Sequence, residues 1–172
     1  MTPETVGPLS RLIDVMKVPP RGQDVHVEAT AEECAALARD FGLPAIQSLA
    51  GDYHLKTSAK GIHVTGMVKA SITQICVTSL DPFDSLIEEE VEVDFAESSG
   101  MPAEPPTDIN EYEPPDEIVN GQIDLGALTA EFLVLGLDPY PRKPGAEFDL
   151  PKERGEEPGH PFAALAALKK PQ

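Results

Sequence analysis

The sequence predicts an α+β fold: a mainly antiparallel sheet of about five strands with two covering helices, a long acidic loop and an extended C-terminal tail ending in a short helix. Three observations predict it. Apolar and polar residues alternate with period two over several long runs, two stretches carry the 3.6-residue period behind a capping residue, and two Pro-rich, charged stretches carry no period at all. At 172 residues with 41% hydrophobic content, the chain has the size and the apolar stock of one domain. That domain is expected over residues 9–143, with an acidic loop at 96–121. Residues 144–172 are expected to form the tail, with a short amphipathic segment at 161–170.

The elements follow in order. Leu12, Ile13, Val15 and Met16 make a short apolar patch ended by Pro19 and Pro20, and Val25 and Val27 alternate with Asp24, His26 and Glu28, so two short strands are expected. Thr30 and Glu33 form a capping box ahead of Cys34, Leu37, Ala38 and Phe41, a helix closed by Gly42 and Pro44. From Leu49 the period is two, with Tyr53 and Leu55 on one face and Asp52, His54 and Lys56 on the other, up to a turn over Ser58, Ala59, Lys60 and Gly61. The return strand keeps Ile62, Val64, Val68, Ala70 and Ile72 in even phase, whereas Ile75 and Val77 are odd, which predicts a bulge near Thr73 and Gln74. A third strand, Leu86 to Phe95, turns Ile87, Val91, Val93 and Phe95 inward. Its other face is a ladder of Glu88, Glu90, Glu92 and Asp94. Asp124 then caps a helix with Leu125, Leu128, Phe132 and Leu135, which Leu133 and Val134 broaden into a well-buried element ending over Gly136 to Pro141. Phe162, Leu165 and Leu168 are the apolar residues of the terminal segment.

Charge narrows the admissible partners. Between Ala70 and Pro141 there is no Lys or Arg, yet seventeen of the thirty acidic residues lie there, so this middle carries the whole formal charge of −17. Such a field repels phosphate backbones and attracts basic proteins or cations. Two cysteines are too few for a disulfide framework, no leader of signal-peptide type opens the chain and no apolar run reaches membrane length, so a soluble protein of the cytoplasm is expected.

Motifs for chemistry are weak. Cys76-Val-Thr-Ser79 has the spacing of a metal or redox pair but lacks the second sulfur, so a buried small cysteine is the favoured reading. If Lys56 pairs with His63, His54 falls opposite Thr65, placing two histidines on one polar face, fewer than a zinc site needs. A carboxylate-based metal-dependent enzyme requires oxygens converging on one cation, and a ladder does not converge. With no Gly-rich phosphate loop, HExxH pair or Gly-x-Ser-x-Gly elbow, no enzyme, metal or cofactor is expected. Arg142, Lys143, Lys152 and Arg154 make a weak basic spot, which leaves direct nucleic-acid binding as an alternative.

Several segments in order carry a resemblance: GMVKASITQIC from Gly66 to Cys76, Ile123-Asp124-Leu125 leading into EFLVLGLDPYP with Pro139, and the ending HPFAALAALKK with Pro161 and Phe162. The chain resembles the YceD-like family, a bacterial and plastid group linked to accumulation of large-subunit ribosomal RNA, and its wording is similar to the alphaproteobacterial branch. The resemblance implies a non-enzymatic accessory factor in large-subunit assembly, with no catalytic residue to carry over. Many members have Cys-x-x-Cys where this chain has Cys76 and Ser79. The expected mechanism is that Glu88, Glu90, Glu92 and Asp94, helped by Glu111, Glu113, Asp116 and Glu117, engage a basic large-subunit ribosomal protein or a pre-ribosomal particle. Phe162 or Tyr112 would supply an apolar anchor. The alternative for the acids is a solvated face that keeps the protein in solution.

Overall fold

The computed structural model describes residues 7–58, 61–97 and 115–147. In chain order the elements are β1 (Leu12–Asp14), one 3-10 turn (Val15–Lys17), β2 (Gln23–Glu28), α1 (Ala31–Asp40), β3 (Ala45–Ser58), β4 (Gly61–Ile75), β5 (Pro82–Ala96), β6 (Asp116–Glu117), β7 (Gln122–Asp124) and α2 (Leu125–Leu135). The fold is α+β. A five-stranded sheet runs β2-β3-β4-β5-β6, antiparallel except for the short β5–β6 pair, and β1 pairs antiparallel with β7 in a separate ribbon.

Alternation decides which face is buried. Leu49, Tyr53 and Leu55 of β3, Ile62, Val64, Val68 and Ile72 of β4, and Ile87, Val91 and Phe95 of β5 form one apolar surface. Leu37 of α1 and Leu125, Leu128 and Leu133 of α2 pack against it. The β3–β4 hairpin pairs Lys56 with His63 and His54 with Thr65, the register read from the alternation.

Both helices start as their caps dictate. Thr30 Oγ1 accepts from the Glu33 amide and Glu33 Oε2 accepts from the Thr30 amide, completing the capping box. Arg11 then grips the same Glu33 with both guanidinium nitrogens, at 2.8 and 2.9 Å. That guanidinium, with the Thr30 amide, holds the Glu33 carboxyl down at about 2. Asp124 caps α2 by accepting from the Gly126 and Ala127 amides, and it also accepts from the Arg11 amide at 2.7 Å and the Ser10 hydroxyl at 2.6 Å. The segment before β1 is thus fastened to the starts of both helices.

Four expectations are corrected. β4 has no bulge at Thr73 and Gln74: its pairing with β5 runs unbroken to Ile75, Ile75 is 42% exposed, and Gln74 takes the buried position with its carbonyl oxygen accepting from the Ser85 hydroxyl. The register shift lies on the neighbouring strand, between Ile46 and Ser48, where the extra residue Gln47 reaches outward to Thr73. β5 begins at Pro82 rather than Leu86 because β4 offers it a paired edge over the whole length. Asp116 and Glu117 form β6 instead of continuing an irregular loop. In α2, Leu125, Leu128 and Leu133 are buried, whereas Val134 and Leu135 stand exposed because they share with Glu131 the face of the helix turned away from the sheet. Residues 59–60 of the hairpin turn, 98–114 of the acidic stretch and 148–172 of the tail lie outside the described residues, and with them the expected terminal helix.

Candidate functional site

The candidate site is the outer face of the sheet at β5. Because Ile87, Val91 and Phe95 are drawn into the core, strand geometry sends Glu88, Glu90, Glu92 and Asp94 to the opposite side, and all four are exposed. The ladder therefore stands as expected, with its side chains directed away from the core.

It is not bare. The register sets His63 opposite Asp94, Thr65 opposite Glu92, Met67 opposite Glu90 and Lys69 opposite Glu88. His63 Nδ1 lies 2.8 Å from Asp94 Oδ1 and Lys69 Nζ lies 3.3 Å from Glu88 Oε1, so both ends of the ladder are paired from β4. Glu92 is 3.9 Å from His63 Nε2, and Glu90 has no ion-pair partner among the described residues. These pairs are exposed and worth little in water, so Glu90 and Glu92 keep most of the local field. Farther along the same face, His26 bonds Asp52 and His54 bonds Asp24, both at 2.6 Å, which continues an alternation of histidine and carboxylate across β2 and β3. The expected pair of histidines on the polar face is thus observed, each with a carboxylate partner.

The remaining expected residues scatter. Asp116 and Glu117 sit beside the end of β5, opposite Phe95 and Ala96. Burial, then the charges of Asp116 and Asp124, pushes the Glu131 carboxyl upward on the helix side. Glu111, Glu113, Tyr112, Pro161 and Phe162 lie outside the described residues. Pro139 is described and exposed in the segment after α2. Leu125 is core, and Asp124 is a cap. Of the basic residues, Lys143 stands 3.9 Å from Asp81, while Lys152 and Arg154 are not among those described. Among the described residues no three of His, Cys, Asp or Glu cluster so as to hold a metal ion, and no helix is long and apolar enough to cross a membrane.

Cys76 is buried, but its surroundings are polar. The turn that ends β4 brings the Ser79 hydroxyl, the Ser79 amide at 3.4 Å and the Thr78 amide onto its sulfur, the segment after α2 adds the Lys143 amide, and these donors pull the thiol down to about 6. Ser79 thus turns the position of a second cysteine into a hydrogen-bond donor. Burial pushes the Cys34 thiol the other way. A folded value below the ordinary 9.0 means that the stability contributed is fully present above about 9 and is lost as pH falls through about 6. Thiolate ultraviolet absorbance in a Cys34→Ser chain should therefore rise with a midpoint near 6 and be absent in Cys76→Ala. A midpoint at or above 9 would contradict the donor arrangement.

The comparisons with known proteins bear on this architecture. No curated protein and no solved structure matches the chain. The family profile described as large ribosomal RNA subunit accumulation protein YceD matches residues 64–169, from Val64 near the start of β4 through β5, Asp124 and α2 into the C-terminal stretch. That match covers more than half of the sequence, so the chain belongs to the YceD family, whose description ties it to accumulation of the large ribosomal RNA subunit.

Proposed function

We propose that this protein is a non-enzymatic accessory factor of large-subunit biogenesis in the cytoplasm, engaging a basic ribosomal protein or a pre-ribosomal particle through the outer face of β5. The observation that carries this reading is the exposed Glu88–Asp94 row, with Glu90 and Glu92 free of any Lys or Arg among the described residues. A one-signed, outward row of this kind steers a cationic protein and hides its charges until rRNA competes for them. A solvated face alone would do none of this. The two are separated by retrieving purified large-subunit proteins with the native chain and with Glu88, Glu90, Glu92 and Asp94 changed to Ser. Recovery is expected to fall about tenfold or more, because four carboxylates contribute to one field. Undiminished recovery would leave the acids as a solubilising surface.

A further inference from the structure

Among the described residues β5 is the last long strand of the sheet, and one of its edges is almost unpaired. β4 covers it from Pro82 to Phe95, whereas on its other edge pairing among the described residues is confined to Phe95 and Ala96, against β6. The Ala96 carbonyl accepts from the Ile118 amide at 2.9 Å, so it points away from β4. Backbone groups of a strand alternate sides residue by residue, so Asp94, Glu92, Glu90 and Glu88 turn their N–H and C=O groups toward the open edge as well. The residues that carry the acid ladder also carry the hydrogen-bonding groups left unpaired among the described residues.

An open edge is a template for another strand, and the charges decide which strand it accepts. A second copy of β5 would lay one row of carboxylates beside another, and like charges in cross-strand positions oppose pairing. Residues 98–114 of the chain itself carry Glu104, Asp108, Glu111 and Glu113 with no Lys or Arg, so their charge does not complement the row either. An extended cationic segment satisfies both the backbone groups and the carboxylates. Leu86, 81% exposed, continues the same outer row and offers an apolar contact at its end.

Resting on the reading above that the partner is basic, we propose that β5 receives an extended basic protein segment as an added strand, with Lys or Arg at alternate positions over Glu88, Glu90, Glu92 and Asp94. The test uses the full chain and a capped peptide of alternating lysine and valine, about eight residues long, against the same peptide fully N-methylated. Amide exchange at Glu88, Glu90, Glu92 and Asp94 is expected to slow at least about tenfold with the first peptide and not with the second. Equal binding of both peptides with unchanged exchange would overturn strand addition while leaving a basic partner in place. Binding of neither peptide at low ionic strength would remove both. Protection of the free chain that rises with its concentration assigns the edge to a second copy, and protection lost on deleting residues 148–172 assigns it to the chain's own tail. Either result overturns the proposal.

Discussion

Replacing Asp124 with alanine is expected to destabilise the fold by about 3 kcal/mol or more, as the sum of a lost N-cap and of two further hydrogen bonds to a carboxylate. The side chain does two jobs. Its Oδ1 accepts from the Gly126 and Ala127 amides that α2 leaves unpaired at its start, and from the Arg11 amide at 2.7 Å, while Oδ2 takes the Ser10 hydroxyl at 2.6 Å. Alanine would leave those donors without a partner against a helix that approaches closely: a Cβ added at Gly126 would stand 2.7 Å from the Arg11 nitrogen. Asparagine keeps an oxygen where the three amides converge, and the serine hydroxyl can turn to accept from its amide group, so Asp124→Asn should cost only about 1 kcal/mol. Urea unfolding midpoints of the two variants test this, and similar losses in both would mean that charge, not the placement of the oxygens, secures the helix. The Ile123-Asp124-Leu125 segment that carries the family resemblance is, on this geometry, a joint of the fold.

Much of this architecture was readable because local chemistry and tertiary structure agree. The Thr30–Glu33 box, the Asp124 cap and the inward and outward faces of β3, β4 and β5 all formed as their residue types demand. Where reading went astray, pairing decided the outcome. The misplaced bulge rested on the assumption that Ile75 and Val77 must be buried, yet they are 42% and 46% exposed, and a buried Gln74 is acceptable because Ser85 donates to it. The actual irregularity at Gln47 has no local signature, since a bulge exists only in the register between two strands. Asp116 and Glu117 have poor strand propensity and extend only because the end of β5 offers a parallel neighbour. The same limit applies to the site. The outward row of four carboxylates was legible from period two, but the His63–Asp94 and Lys69–Glu88 pairs required the β4–β5 register, which alternation alone does not set.

Gly66→Ala is expected to damage the sheet severely, at about 3–5 kcal/mol, because an added methyl there meets main chain as well as side chain. Gly66 is paired with Tyr53, and its Cβ would collide with the Asp52 carbonyl oxygen and stand 2.8 Å from Tyr53 Cδ1. The ring cannot give way cheaply. Its hydroxyl is bonded at 2.6 Å to Thr129 Oγ1, whose own proton goes to the Leu125 carbonyl, so Tyr53 is tied through α2 to the centre of the core. Gly51, two residues before Tyr53 on the same face, makes the comparison possible: a Cβ there would have the tyrosine ring and hydroxyl as its nearest neighbours, at 2.6 to 2.7 Å. Trimming Tyr53 to Leu should therefore recover most of the additional loss caused by Gly51→Ala, but little of that caused by Gly66→Ala, since the Asp52 carbonyl remains in place. Two double-mutant cycles by denaturant unfolding measure the difference. Equal recovery in both would show that the ring alone excludes a side chain at Gly66, and that the close approach of the β3 backbone carries no cost of its own.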